Sequence, residues 1–354
     1  MTATSSSSST GRRVAIAGAT GAVGQDLRRL LDRRDFPLDD LVLLASERSA
    51  GSVIRWRDRD ITVKNLGDAD AFDGVDLALF SAGGGRSLEH APRAVEAGAI
   101  VVDNSSAFRM DPDVPLVVTE VNGDELSVRP TKGIVANPNC TTMAAMLPLK
   151  ALHDAFGLVS MVATSYQAAG GAGQSGIDEL QAQVPVLAEH FDLLRTDGAA
   201  AAKLVEPNVF AAPLAFNVVP VLGTIQDNGY TDEELKLLNE SRKILGIPDL
   251  EVAPTCVRVP VVAGHSLQIR ATFGQSVTRE AALKALDGFP GLVVADMPTP
   301  LEFAGRDEVA VGRVRADLHD SHSLNFWCVG DNLLKGAALN TVQIGEELVA
   351  RGHV

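Results

Sequence analysis

Cysteine is scarce in this sequence. It occurs three times in 354 residues, and Cys140 lies far along the chain from Cys256 and Cys328. So few and so scattered cysteines argue against a disulfide framework or a multi-cysteine metal cluster. Long apolar segments are lacking too, since no uninterrupted run approaches the roughly 20 residues that a transmembrane helix needs. We therefore expect neither disulfides nor membrane spans.

Positive charge is also in short supply. Thirty-one lysines and arginines face 45 acidic residues, which gives a net charge of -14 and a pI near 4.9. This balance disfavours a surface for nucleic acid or for an anionic membrane, although it allows a local basic pocket for a small anion. We expect a small-molecule partner, no nucleic-acid partner and no membrane partner.

The N-terminal segment lacks the features of a targeting signal. Residues 1–11, MTATSSSSSTG, have neither the basic nor the apolar region of a signal peptide. This composition predicts a disordered tail or a leftover of cloning. We expect the protein in the reducing cytoplasm.

What is present is the pattern of a two-domain globular protein, with 46% hydrophobic and 21% charged residues. Residues 12–34 predict a strand, a glycine turn and an amphipathic helix. Further strand candidates that alternate with helical stretches are LVLLAS at 41–46, VDLALFSAG at 75–83 and AIVVDNS at 99–105. This alternation predicts an α/β domain built on a parallel sheet.

The residue composition changes after Cys140, where long segments rich in β-branched residues follow. They predict a second, mostly antiparallel sheet, with strands in SMVATSYQAAGG (160–171), NVVPVLG (217–223) and TCVRVPVVAGHSLQIRATF (255–273). A final helical segment, residues 330–354, has to pack back against one of the two layers.

The glycine turn GATGAVG is a candidate dinucleotide site. Its glycines let the backbone approach a pyrophosphate held at the N-terminus of the next helix. The spacing G-x-x-G-x-x-G differs from the commoner dinucleotide pattern, so ordinary strand-to-helix punctuation is the alternative. The residues assigned to the cofactor here are Gly18, Thr20, Gly21, Ala22, Val23 and Gly24.

The end of the second strand bears on the choice of cofactor. NAD-binding chains usually carry an acid there, whereas LLASERSAG offers Ser46, Arg48 and Ser49. Hydroxyls and a guanidinium suit the 2′-phosphate of NADP, and Glu47 keeps the NAD alternative open. In SAGGG, residues 81–85, Ser81 and Gly83 predict a second contact with the cofactor; a flexible loop is the alternative.

Cys140 precedes a helix-compatible stretch that Gly157 should end, with Pro148 expected to bend it. A thiol at a helix N-terminus is expected to have a lowered pKa, because unpaired N–H groups and the helix dipole stabilise the thiolate. The same N–H groups can hold an oxyanion. The alternative is an inert, buried small residue.

Seven segments, taken in order, resemble the aspartate-semialdehyde dehydrogenase family: GATGAVG, NSSAFRMD, ANPNCTT, SYQAAGGAG, EELK, CVRVPVVAGHS and DNLLKGAALNT. The resemblance covers nearly the whole chain after residue 11, and ANPNCTT together with RVPVVAGHS is highly specific. It implies reductive dephosphorylation of L-aspartyl 4-phosphate with NADPH to L-aspartate 4-semialdehyde and phosphate, on the route to lysine, threonine and methionine. The alternatives are an N-acetyl-glutamyl-phosphate reductase and a noncatalytic dinucleotide-binding regulator.

The resemblance also implies residue roles. Cys140 is the nucleophile and His265 the acid/base, whose ordinary pKa near 6.5 suits that work. For the substrate it implies Arg109 and Lys236 for the phosphate, helped by Asn104, Arg258 for the α-carboxylate, Glu233 for the ammonium, Gln167 for the carbonyl, and Asn139 as a further contact. Gly170 and Asn332 are assigned to the cofactor, although the family often has serine where this chain has Gly170.

Residues 231–246 predict a helix capped by Thr231, with Glu234 as its capping-box partner and with Glu233 and Lys236 on one face. Without the resemblance, this last pair reads as a surface ion pair. The histidines of HDSH, His319 and His322, suggest a metal only weakly, and we expect no metal site.

The full organisation is then an α/β chain with a Rossmann-like NADP-binding domain at 12–138. A catalytic and dimerisation domain of α+β type with a mostly antiparallel sheet follows at 139–329. A C-terminal helix at 330–354 returns to the first domain. The resemblance implies a homodimer or a homotetramer.

We predict that Cys140→Ser folds and binds cofactor but loses turnover by several orders of magnitude, because a serine hydroxyl is scarcely ionised near pH 7. The kcat of the purified variant measures this. Cys256→Ser and Cys328→Ser are the controls and should be far milder. Near-normal turnover in Cys140→Ser would contradict covalent catalysis.

Overall fold

The computed structural model describes residues 11–354. Of the tail predicted at 1–11, residues 1–10 lie outside the described residues. Within the described part of the chain, no helix is both long and apolar enough to cross a membrane.

The first domain is built on a six-stranded sheet in the order β5-β2-β1-β6-β7-β8, in which every pairing is parallel. Its strands are buried from both faces, which is why they appear in the sequence as continuous apolar runs. The prediction of a parallel sheet is confirmed. The elements in chain order are β1 Arg13–Ala17, α1 Ala22–Arg33, β2 Asp40–Ala45, β3 Val53–Trp56, β4 Arg59–Thr62, β5 Lys64–Asn65, β6 Leu77–Phe80, α2 Gly84–Glu96, β7 Ile100–Asp103, α3 Thr119–Asn122 and β8 Ile134–Ala136.

The second domain is built on a six-stranded mixed sheet in the order β10-β9-β11-β14-β13-β12. Its two outer pairings are parallel and its three inner pairings are antiparallel, so the predicted fold class is confirmed. The elements are α4 Cys140–Phe156, β9 Leu158–Gln167, α5 Gln174–Ala188, α6 Phe191–Thr196, α7 Gly198–Ala202, α8 Asp232–Leu245, β10 Glu251–Arg258, β11 His265–Phe273, α9 Arg279–Leu286, β12 Leu292–Val294, α10 Pro300–Phe303, β13 Val309–Ala316 and β14 Ser323–Gly330.

The strand predicted at 217–223 is wrong. In that segment Val219 alone pairs, as an isolated antiparallel bridge to Arg258. Pro220 follows at once and has no N–H with which to continue a ladder. The segment instead runs as a loop that brings Leu222 and Gly223 to a cleft between the domains.

Helix α4 joins the two sheets. It is buried along most of its length, and one contiguous apolar cluster links it to a face of the first sheet and to the inner face of the second. The helix ends at Gly157 in the left-handed conformation (φ +72°), as predicted. The helix is buried nearly all round because it lies between the two sheets. Its first residue, Cys140, therefore lies where the two domains meet.

The C-terminal segment returns to the first domain. After β14 the chain makes a π-helical turn, Leu334–Ala338, in which Gly336 N–H donates to Asp331 O (2.9 Å) and Ala338 N–H donates to Leu333 O (3.0 Å). Helix α11, Leu339–Ala350, then packs against α1 and the outer face of the first sheet. The chain beyond β14 is thus part of the first domain's core.

Candidate functional site

A cleft of about 380 Å³ opens between the domains and gathers most of the predicted catalytic and substrate residues. The first domain, the second domain and the C-terminal segment each supply part of its wall. Its lining includes Val23, Ser81, Asn104, Arg109, Asn139, Cys140, Gln167, Gly170, Glu233, Lys236, Arg258 and Asn332.

Cys140 and His265 form the centre of the cleft. Cys140 is the first residue of α4, and His265 is the first residue of β11. Their Sγ and Nε2 atoms lie 3.2 Å apart, although 125 positions separate them in the sequence. Cys140 is partly exposed and lines the cleft, whereas His265 is fully buried. The structure thus brings together the two residues to which the sequence assigned catalysis.

The expected low pKa of Cys140 is wrong in this structure. Burial raises the pKa of its thiol to about 11, and the nearby Glu233 carboxylate adds to this, against the opposing effect of Arg258 and Arg109. The helix N-terminus offers little help, because the Asn139 side chain already accepts hydrogen bonds from Thr141 N–H and Thr142 N–H. At neutral pH Cys140 therefore rests as a thiol.

His265 is held in one tautomer. Ala168 N–H donates to its Nδ1 at 3.1 Å, so the neutral ring carries its proton on Nε2, facing the sulfur of Cys140. Burial, followed by the charge of Arg258, holds the pKa of His265 well below its usual value. The expected ordinary pKa of His265 is therefore wrong, and in place of the acid/base role that the resemblance implied, the ring is set to donate a hydrogen bond to the sulfur. A side chain at Gly171 would crowd this arrangement, since its Cβ would lie 2.9 Å from His265 Cε1.

Two arginines add positive charge to the cleft, beside Lys236. Arg109 is 7% exposed, and its Nε donates to Asn137 O (2.9 Å) while its Nη2 donates to Asn104 O (2.6 Å). Arg258 donates from Nη1 to Ala168 O (2.6 Å). These carbonyl contacts fix both guanidinium planes and leave further N–H groups for an anion.

Glu233 collects three of the predicted substrate residues. Its carboxylate accepts from Asn139 Nδ2 (3.0 Å), Gln167 Nε2 (3.3 Å) and Lys236 Nζ (3.1 Å). The predicted capping box of Thr231 and Glu234 is confirmed, and it orients α8 so that Glu233 and Lys236 share one face.

Glu240 is the main functional candidate that the sequence reasoning missed. It is 1% exposed, pairs through Oε1 with Arg109 Nη1 (3.0 Å) and accepts through Oε2 from Asn139 N–H (2.7 Å). Burial raises its pKa, and Arg109 opposes this. Glu240 lies seven residues after Glu233, two turns along the same face of α8. This spacing could have indicated from the sequence that both carboxylates face the same site.

The dinucleotide candidates lie mostly along a second cavity of about 200 Å³. Gly18 (φ +90°) has to be glycine, since a Cβ there would lie 2.2 Å from Ser81 O. Glu47 is not among the residues that line this cavity, and Arg86, which the sequence reasoning missed, is. The lining includes Gly18, Thr20, Gly21, Ser46, Arg48, Ser49, Ser81 and Arg86.

Three cofactor candidates lie elsewhere. Gly24 is buried, and a Cβ there would lie 2.3 Å from Gly18 O, so it permits close packing of α1 against the turn. Gly83 (φ +88°) precedes α2, and Ala22 begins α1. In the described part of the chain, neither Ala22 nor Gly83 lines the cleft or the second cavity, where the other cofactor candidates lie.

The cleft fits one end of a dinucleotide. Asn332 is 3% exposed, accepts from Gly264 N–H through Oδ1 (2.9 Å), and its Nδ2 has no hydrogen-bond partner among the described residues. A buried donor without a partner is costly, so a ligand acceptor is expected there. At Gly170 a Cβ would lie 2.8 Å from Val262 O, so the serine common in the family would need this loop to shift.

The chain matches two family models. Residues 13–128 match "Semialdehyde dehydrogenase, NAD binding domain" and residues 149–335 match "Semialdehyde dehydrogenase, dimerisation domain". A protein of Mycolicibacterium smegmatis named aspartate-semialdehyde dehydrogenase is 50% identical over 95% of this chain and 99% of its own length. The chain belongs to the aspartate-semialdehyde dehydrogenase family. Both the predicted family and the prediction of an enzyme are confirmed.

Other members of the family agree in sequence and in structure. A relative from Corynebacterium glutamicum with the same name is 51% identical over 95% of this chain and 99% of its own length. The crystal structure of aspartate semialdehyde dehydrogenase II from Vibrio cholerae, complexed with ASA, has a TM-score of 0.89 at 42% identity, covering 96% of this chain and 99% of that one. Across residues 11–354, no group of three or more His, Cys, Asp or Glu side chains is arranged to hold a metal ion.

We predict that alkylation of Cys140 by iodoacetamide accelerates about tenfold per pH unit from pH 6.5 to 9.5 without a plateau, because only the thiolate reacts and the thiol pKa is raised. Mass spectrometry of the Cys140 peptide measures the rate. Cys256 and Cys328, both fully buried, should stay unmodified. Glu233→Gln should speed the reaction at each pH. A plateau near pH 7 would show instead that the thiolate already forms there.

Proposed function

We propose that this chain catalyses the NADPH-dependent reductive dephosphorylation of L-aspartyl 4-phosphate to L-aspartate 4-semialdehyde and phosphate. The observation that carries the proposal is the 3.2 Å contact between Cys140 Sγ and His265 Nε2 in a cleft lined by Arg109, Arg258 and Glu233. Relatives of about half-identical sequence named aspartate-semialdehyde dehydrogenase support it. The reverse reaction, with aspartate semialdehyde, phosphate and NADP, is the direct assay.

The proposed division of labour follows from charge. The substrate carries a phosphate and an α-carboxylate, which suit the free N–H groups of Arg109 and Arg258, and an ammonium, which suits the Glu233 carboxylate. Lys236 assists at the phosphate and has to turn from Glu233 to do so. Gln167, held against Glu233, orients the carbonyl that reacts.

Cys140 attacks the acyl carbon of the substrate, the bond from that carbon to the phosphate oxygen breaks, and a thioester forms. The thiol proton leaves with the phosphate as hydrogen phosphate, because the Nε2 of His265 already carries a proton. NADPH, when bound, supplies the hydride that the thioester requires. His265 holds the sulfur through its Nε2–H and stabilises the thiolate when the aldehyde departs.

The alternative, an N-acetyl-glutamyl-phosphate reductase, differs in the substrate group that meets Glu233. An N-acetylated substrate presents a neutral amide there, which leaves Glu233 without a counter-ion once Lys236 has turned to the phosphate, in a site where an unpaired carboxylate is costly. A noncatalytic regulator does not need Cys140 and His265 in contact. The geometry favours the aspartyl substrate over both alternatives.

We predict that kcat/KM favours aspartate semialdehyde over its N-acetylated, one-carbon-longer analogue by several kcal/mol, since both the ion pair and the extra methylene count against the analogue. Glu233→Gln should erode that preference mainly by slowing the aspartyl substrate. Arg258→Lys is the matched control, because it spoils a carboxylate contact that both substrates share and should slow both. Equal use of the two semialdehydes by the unsubstituted enzyme would overturn the assignment.

We propose NADP as the cofactor of the dinucleotide-binding domain. Ser46, Arg48 and Ser49 line the cavity beside the glycine turn, where a 2′-phosphate meets hydroxyls and guanidinium groups. Glu47 is exposed and is not part of that lining. Arg86 adds a second cation to the same cavity.

We predict that Arg48→Ala raises the KM for NADPH about tenfold or more and changes the KM for NADH little, since a charge-assisted hydrogen bond contributes roughly 1.5–3 kcal/mol. Steady-state kinetics with both cofactors test this. Glu47→Ala, the matched control one position earlier, should leave the preference for NADPH intact. If Arg48→Ala weakens both cofactors equally, Arg48 does not read the 2′-phosphate.

We propose that the chain assembles as a homodimer through the second sheet, with a homotetramer as the alternative. The match of residues 149–335 to a dimerisation domain supports the assembly. On the outward face of this sheet Val162 is 49% exposed, and the rings of Tyr166 and Trp327 lie 5.2 Å apart. Such a face is suited to burial against a second copy.

We propose a cytoplasmic location. Cys140, Cys256 and Cys328 are all free in the structure, and a nucleophilic thiol needs reducing surroundings to remain active.

A further inference from the structure

A buried ion pair lies behind the cleft and takes no part in the chemistry proposed above. Lys335 is 1% exposed, and its Nζ donates to Glu120 Oε2 (2.5 Å), Gln343 Oε1 (2.7 Å) and Asn340 Oδ1 (3.1 Å). Three acceptors match the three protons of an ammonium group. Burial acts to raise the pKa of Glu120, but the charge of Lys335 and the hydrogen bonds from Lys335, from Gln343 and from the backbone together lower it. Burial also lowers the pKa of Lys335, and the Glu120 carboxylate opposes this. The contact itself has the geometry of a buried ion pair.

The position of Lys335 connects it to the nucleophile. It lies in the π-helical turn Leu334–Ala338, next to Gly336. A Cβ at Gly336 would lie 2.9 Å from Cys140 Cβ, so the backbone of this turn rests directly against the nucleophile. From the same turn, the Lys335 side chain reaches Glu120, just after the start of α3. π-Helical turns of this kind are frequent at functional sites.

A second route runs through Asn340. While its Oδ1 accepts from Lys335, its Nδ2 donates to Asn137 Oδ1 (2.7 Å) and to Val117 O (2.8 Å). Asn137 lies three residues before Cys140, and its carbonyl accepts from Arg109 Nε. The ammonium of Lys335 thus holds the Asn340 amide in place. This amide in turn holds Asn137, in the segment that leads into α4.

We infer that Lys335 is a positioning residue, which holds the Asn137–Cys140 segment and the π-helical turn in register where the first domain meets α4. The inference rests on the function proposed above. A buried ion pair is weak evidence for a gain in stability, because a neutral pair of similar size is often as stable. Its value here is geometric, since one ammonium ties the C-terminal segment, α3 and the approach to Cys140 together.

The test separates geometry from stability. Lys335→Met leaves the Glu120 carboxylate buried and unpaired, so its melting temperature should fall. The double variant Lys335→Met/Glu120→Gln removes both charges and should recover most of that loss. Lys150→Met, which breaks an exposed ion pair with Asp154, is the control and should match the unsubstituted enzyme.

In the double variant we expect kcat for aspartate semialdehyde to be lower by about 10- to 100-fold with KM nearly unchanged, because misplacement of reacting groups by about 1 Å costs rates of that order. Hydrogen–deuterium exchange should be faster in a peptide covering 137–142 and unchanged in α9. Lys335→Arg, which keeps the charge, should recover part of the kcat.

Near-normal kcat in the double variant, unchanged exchange at 137–142, or failure of both variants to fold would make the pair a stability device and overturn the inference. If the unsubstituted enzyme does not use aspartate semialdehyde, the proposed function fails, but the exchange data still decide the role of Lys335. The two failures are therefore distinguishable.

Discussion

The constraint on which this site depends is the cost of charge in a partly dry cleft. Cys140 and His265 lie against each other where both lose solvent, so neither is ionised at rest. Two of the cations around them are paired, Arg109 with Glu240 and Lys236 with Glu233, whereas Arg258 contacts only the Ala168 carbonyl. A substrate with one cationic and two anionic groups can exchange with these partners without leaving a buried charge alone.

Helix α8 distributes those charges. Its capping box sets the first turn, and Glu233, Lys236 and Glu240 then follow at helical spacing along the face that meets α4. Glu240 binds both the Asn139 N–H and Arg109, so one carboxylate orients the start of the catalytic helix and an anion-binding guanidinium together. The active site is therefore only as well ordered as the packing between α4 and α8.

Local patterns in the sequence were sufficient to predict those features that depend on interactions between neighbouring residues. The parallel strands, the capping box at Thr231 and the end of α4 at Gly157 depend on neighbouring residues, and all were predicted. The strand at 217–223 failed because one proline outweighed its β-branched neighbours.

Distant contacts explain the other failures. The high pKa of Cys140 depends on burial and on Glu233, which is distant in the sequence. A prediction from the position of Cys140 at the end of a helix takes account of neither. Glu240 and Lys335 were missed because a charged residue in a helical segment ordinarily indicates a solvated face.

The packing of α11 also has a consequence for biosynthesis. Helices α1 and α11 cover the same face of the first sheet, yet one is made near the start of translation and the other near the end. While the ribosome is still adding the second domain, the part of this face that α11 covers remains exposed, and the π-helical turn that rests against Cys140 does not yet exist. The nascent first domain therefore exposes an apolar surface until the C-terminal helix emerges, and such surfaces are prone to aggregation.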